Sequence, residues 1–191
     1  MAFSSEAVAN YILKVAGEKS VRITPLKLQK LVYIAHGWYM GYSTPEGGHP
    51  RPLIDEQVEA WKYGPVIPTL YHTFKDYGRR LIDTPAKVMK MGESGTGNLN
   101  INIITPDIET ENASEDELRL AKSIIKQVVD IYGSKSGVWL SNLTHQPGSP
   151  WHQTYHVDHH GNPPSGTDID PDYILEHYRA LISKQRTTKA E

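Results

Sequence analysis

Thr24 followed by Pro25 constrains this chain more than any other pair of residues. A threonine hydroxyl accepts from an unpaired amide in a helix's first turn, and a proline at the first helical position gives up an N–H that had no partner there. Behind the pair, Leu28, Leu31, Val32, Ala35 and Tyr39 fall on one face, and Gly41 is expected to stop the helix. A helix with such a stripe is stable only when other elements cover it.

The remaining sequence supplies them. Ser4 caps a first helix carrying Val8, Tyr11, Ile12 and Val15, with Phe3 stapling onto Val8. Ser114 and Glu117 form a capping box ahead of Leu118, Ala121, Ile124, Ile125, Val128, Val129 and Tyr132, ending at Gly133, and this is expected to be the central core helix. Shorter helices are expected around Leu70, Phe74 and Tyr77 with Gly78 at the end, over VWLSNLT, and after Ser149–Pro150. Asp170–Pro171 opens a last helix with Ile174, Tyr178 and Leu181 inward.

Residues 54–61 fit a strand and a helix equally well. Leu99, Ile101 and Ile103 alternate with Asn98, Asn100 and Asn102, the pattern of a half-buried strand, with a partner expected near Val88 across the Gly-rich turn ESGTG. The expected architecture is mainly α: one compact helical domain over residues 1–183 with a small β-hairpin insertion within 79–111, an α+β arrangement being the alternative. Residues 184–191, short and polar, are expected to form a flexible tail.

The charge balance, 20 Lys plus Arg against 22 Asp plus Glu, lacks the broad positive footprint that phosphate neutralisation demands. Lys27 with Lys30, and Arg79 with Arg80, are the compact basic features, and neither resembles a recognition helix, so DNA binding is disfavoured. The absence of cysteine excludes disulfides, thiolate metal sites and thiol catalysis and suits a reducing compartment. No export leader or membrane span is indicated near the N-terminus, so the cytoplasm is the expected location.

Five histidines crowd THQPGSPWHQTYHVDHHG, residues 144–161. On a helix begun by Pro150, His152 and His156 lie one turn apart, the spacing of two zinc ligands. The position of a metalloprotease's general base is held by Gln153, which cannot accept a proton at useful pH, and the surrounding Gly and Pro suit an ordinary polar loop. No cofactor is expected. GESGTG lacks the lysine and strand-to-helix setting of a phosphate loop, and the acidic run ETENASEDE complements the positive end of the helix it precedes. Trp61, Tyr63 and Trp151 stand beside prolines that fix their turns, which suits either core packing or an aromatic binding surface.

Taken together, ITPLKLQKLVYIAHGWYMG, EAWKYGPVIPTLYHTFKDYG and LSNLTHQPGSPW resemble the Panacea domain, the SocA-like antitoxin family of phage-associated proteins. The likeness runs from about Val8 to about Tyr178 and is most specific in W-x-Y-G-P-V and T-H-x-x-x-S-P-W; residues 79–111 carry none of it. It implies an antitoxin without catalysis that binds its cognate toxin directly, with delivery of the toxin to a protease as a second mode. On this reading the partner-binding residues are Trp61, Tyr63, Pro65, His145, Pro150 and Trp151, and the other histidines fall outside the pattern. A metal-dependent hydrolase using His152 and His156 and a DNA-binding autoregulator are the alternatives.

Overall fold

The computed structural model describes residues 2–93 and 99–188. Its centre is α2, Pro25–Ser43, capped by the Thr24 hydroxyl as the Thr-Pro pair requires. Around it pack α1 (Ser5–Glu18), α4 (Glu115–Tyr132), α5 (Gly137–Thr144) and α7 (Pro171–Thr188). The short strands β1 (Glu59–Trp61) and β2 (Gly64–Val66) and the short helices α3 (Pro68–Phe74) and α6 (Pro150–His152) complete this body.

α2 is buried on every side from Lys27 to Gly37 and again at Tyr39 and Met40. The expectation that α4 is the central helix is therefore corrected. α4 has its capping box, but it buries a single stripe, Ala121, Ile124, Ile125, Val128 and Val129, and leaves the opposite face in water. The polar residues of α2 disguise its burial, because Lys27, Gln29, Lys30 and His36 read as a solvent-facing side although all four are enclosed.

Those polar residues are spent on backbone groups of the surrounding segments. Lys27 Nζ donates to the carbonyls of Arg22 (3.0 Å) and Gly133. The Gln29 amide makes a two-point clasp with Ile67, donating to its carbonyl at 3.0 Å and accepting from its N–H at 2.9 Å. Lys30 Nζ donates to the Pro65 carbonyl at 2.9 Å, and His36 Nδ1 accepts from Ile54 N–H at 3.4 Å. A buried polar group left unpaired costs about 1–3 kcal/mol, so each of these bonds fixes where a neighbouring segment must run.

Gly41 does not stop α2, which runs on to Ser43. Its role is to make room: a Cβ there would lie 2.7 Å from Ile182 Cδ1, and one at Gly37 would lie 2.0 Å from the Tyr178 ring. The two glycines form a groove that seats α7, and Tyr178 meets Trp38 edge-on at 5.3 Å within it.

The ambiguous 54–61 stretch resolves into extended chain. Ile54 bridges Phe3 in parallel, and β1 pairs antiparallel with β2 in the register Glu59↔Val66, Ala60↔Pro65, Trp61↔Gly64. α1 is capped by Ser4, and Glu111 from the acidic run accepts from the Ser4 N–H at 2.8 Å, a long-range contact beyond the local helix-end effect expected of that run. α3 passes through a tight turn over Lys75–Tyr77 to Gly78, whose φ of 57° closes it.

The inserted hairpin has β3 (Val88–Glu93) antiparallel to β4 (Leu99–Ile104), as expected, while residues 94–98 of the Gly-rich turn lie outside the described residues. Asn10 fastens its base, donating to the carbonyls of Ala86 (3.1 Å) and Pro106 (2.9 Å) and accepting from Ala86 N–H (2.7 Å). The expectation of a half-buried strand is corrected. Met89 pairs with Ile103 and Met91 with Ile101 on one face, and all four side chains are exposed. Alternation identifies an apolar face without saying that anything covers it. α7 runs on to Thr188, with residues 184–188 exposed.

Because α2 and α7 touch through glycine, Gly37→Ala should destabilise the protein by about 1–3 kcal/mol or more through overpacking, although alanine is the better helix former. Gly17→Ala, at an exposed helical site where a Cβ meets nothing within 4 Å, should be neutral or stabilise by up to about 1 kcal/mol. Paired denaturant melts check both signs.

Candidate functional site

The two motifs of the sequence meet at the β1–β2 hairpin. Its loop residues, Lys62 and Tyr63, project between Trp61 and Gly64, and side chains from three helices hold the carbonyls along the turn. Trp151 Nε1 donates to the Trp61 carbonyl at 2.7 Å, Ser141 Oγ to the Tyr63 carbonyl at 3.0 Å, and Lys30 Nζ to the Pro65 carbonyl at 2.9 Å. Gly64 has φ +102°, and a Cβ there would lie 2.5 Å from Lys30 Nζ and 2.8 Å from His145 Nε2, so this turn admits only glycine.

Behind the turn the rings form a stack. His145 lies on Trp151 at 3.9 Å and 22°, Trp151 lies on Tyr155 at 4.7 Å and 19°, and His156 meets Trp151 edge-on at 5.3 Å. Ser149 sets the stack's geometry: its hydroxyl donates to the Thr144 carbonyl at 2.8 Å and accepts from His152 N–H at 3.1 Å, starting α6 where Pro150 requires. In front, Trp61 Nε1 donates to Glu59 Oε2 at 2.6 Å, and its ring leans on Tyr71 at 4.8 Å.

The structure divides the expected partner-binding residues into two layers. Tyr63 is 70% exposed, and Trp61 is half-buried beside the exposed Tyr71. Trp151 is only 4% exposed, Pro65 and Pro150 are buried, and His145 is half-buried. Trp151 therefore serves as a hydrogen-bonding prop under the hairpin, because its indole is the only part of the THQPGSPW turn that reaches the Trp61 carbonyl. Sequence reasoning missed Lys30, Ser141 and Tyr71. Of these, Lys30 left a trace: it falls among apolar residues of α2, where a solvated lysine does not belong.

Burial brings the Lys30 ammonium down from its ordinary 10.5 to about 7, and among the described residues nothing acidic opposes this. Burial, and next the Lys30 charge, push His145 down as well. Two basic nitrogens thus face the same glycine. A hydrogen bond with the Tyr63 backbone works against the downward push on His145, whose ring packs tightly into the turn.

His152 and His156 do approach, with ring centres 5.2 Å apart, where α6 widens into a π-turn over Gln153–Asp158. His145 is committed to Trp151 and Lys30, while Asp158 Oδ1 accepts from Gln153 Nε2 at 2.9 Å. Among the described residues no three His, Asp or Glu side chains converge in a metal-binding group. The compact basic feature imagined on α2 also disappears, since Lys27 and Lys30 are both buried. No helix among the described residues is long and apolar enough to cross a membrane.

The segments that build this body and its propped hairpin are those of a known family. The family described as "Antitoxin SocA-like, Panacea domain" matches residues 28–152, from α2 through α6, and the chain belongs to it. Antitoxin SocA of Caulobacter vibrioides (strain NA1000 / CB15N) is 33% identical over 147 residues, which cover 77% of this chain and 68% of SocA. No solved structure matches.

Two substitutions test the prop. Trp151→Ala should cost about 3–5 kcal/mol, as removal of a buried indole does. For Lys30 the unfolded chain holds its proton up to about 10.5 while the folded chain releases it near 7, so stability should rise with pH above 7, by at most about 1.4 kcal/mol per pH unit. Below pH 7 the cost of burying the charge is fully present. Lys30→Met should flatten the rise between pH 7 and 9, measured by urea unfolding. Above that range Tyr39, pushed up to about 12 by burial, begins to lower stability with the opposite sign.

Proposed function

We propose that the protein is an antitoxin that neutralises a cognate toxin by direct protein contact, and that the β1–β2 hairpin makes this contact. Trp61 and Tyr63 would meet the toxin, joined by Tyr71, while Pro65, His145, Pro150 and Trp151 hold them from beneath. The observation that carries the reading is Tyr63: a large ring 70% exposed, on a turn whose backbone is gripped at three carbonyls by buried side chains. Tyrosine and tryptophan dominate binding energy in protein interfaces, and a turn ordered before binding spares the ordering cost that a mobile loop would incur. The relative's printed name, Antitoxin SocA, supports the same role. Delivery of a toxin to a protease begins with the same contact, so one surface serves either outcome.

Tyr63→Ala tests the hairpin directly. The melting temperature should stay nearly constant, since the ring is mostly in solvent, while affinity for the toxin should fall by roughly 2 kcal/mol, about thirtyfold, in titration calorimetry. Wild-type affinity in the folded variant would remove the hairpin from the interface.

A further inference from the structure

Beside the hairpin lies a groove of about 510 Å³. Its floor is apolar: Ile54, Val58, Ile169 and Ile174, all buried. Four carboxylates line it, Asp55, Glu56, Asp170 and Asp172, and no lysine or arginine does. None of the four is paired with a cation among the described residues. Asp170 Oδ1 accepts from Asp172 N–H at 2.8 Å and Glu56 Oε2 from Thr69 N–H at 3.3 Å, which leaves the second carboxylate oxygen of each without a hydrogen bond among the described residues. Burial, and more weakly the neighbouring Glu56 and Glu111, push the Asp55 carboxyl up, against the opposing pull of hydrogen bonds from the Asp55 and Ser5 backbones.

A second observation is independent of the acids. His36 also lines the groove, although it is only 4% exposed. Its Nδ1 accepts from Ile54 N–H, which places the ring proton on Nε2, and Nε2 has no acceptor among the described residues. An N–H donor at the bottom of an acid-rimmed groove asks for an oxygen on the occupant while the rim asks for positive charge. A peptide with basic side chains offers both. Its carbonyl satisfies His36, its ammonium or guanidinium groups meet the carboxylates, and the aliphatic stems of lysine or arginine cover the isoleucine floor. A nucleic acid is repelled by the same rim.

We propose that this groove binds a basic, extended segment of the toxin, so that the antitoxin holds its partner at two places: aromatic at the hairpin, acidic at the groove. The two are continuous, because Glu56 and Val58 lead directly into β1, which carries Trp61. The proposal rests on the reading of the protein as a toxin-binding antitoxin.

The test compares the wild-type chain with the combined variant Asp55→Asn, Glu56→Gln, Asp170→Asn, Asp172→Asn, titrated with the product of the adjoining gene over a range of salt. The replacements keep shape and acceptor atoms, including the bonds made by Asp170 and Glu56. The variant should melt like the wild type, bind at least tenfold more weakly, associate more slowly, and lose most of the salt dependence of wild-type binding. Asp172→Asn alone, at an exposed carboxylate, should show a smaller loss in the same direction and serves if the combined variant does not fold. Equal affinity and equal salt dependence in the folded variants would overturn the groove while leaving the antitoxin reading intact. Failure of the wild type to bind at all would sink that reading, and the groove with it.

Discussion

The structure depends on one helix that satisfies other segments' backbones from inside the core. Lys27, Gln29, Lys30 and His36 are all buried on α2, and each is bonded to a main-chain group of a loop, strand or helix start. An apolar helix would be indifferent to small shifts of its neighbours. A polar one is not, because a slipped segment leaves two groups unpaired at once, the buried side chain and the backbone atom it had satisfied. Lys30 shows the severity of the constraint: a fully enclosed amine is tolerable near neutral pH because burial has driven its proton affinity down far enough for the neutral form to be accessible.

From that helix the constraint extends to both proposed contact regions. Lys30 holds the carbonyl after the Tyr63–Gly64 turn, and His36 holds Ile54 at the floor of the acid-rimmed groove. A hairpin of two three-residue strands has little stability of its own. Here it is ordered by Trp151, Ser141 and Lys30, donors on three separate elements. An exposed tyrosine on such a mount presents a fixed shape to a partner, while the buried rings behind it contribute rigidity. The exposed Met89, Met91, Ile101 and Ile103 face contrasts with this, since Asn10 anchors only the base of its hairpin.

The helices were legible because their signals are local. Ser4, Thr24, Ser114 and Ser149 each accept from a first-turn amide in the structure, and a cap needs only residues within one turn of itself. The β3–β4 pairing was legible for the same reason, an alternation read within a few residues. The 54–61 stretch was not, because its conformation is set by partners far along the chain, Phe3 on one side and Thr167 and Ile169 on the other. The groove was invisible as well, its walls coming from the stretch before β1 and the start of α7.

By itself the sequence determined the caps, the apolar stripes, the proline-fixed turns and the two motifs by which the family is recognised, since all of these are relations between residues close in the chain. Tertiary structure alone decided which helix became the centre, that Gly41 seats α7 instead of ending α2, and that Trp151 faces inward while Tyr63 faces out. It also decided that Lys27 and Lys30 are buried and not part of a basic surface. The physical reason is common to all four: burial and hydrogen-bond satisfaction depend on what arrives from elsewhere in the chain. An amine, a glycine or an indole acquires its role only when a distant carbonyl or ring has been packed against it.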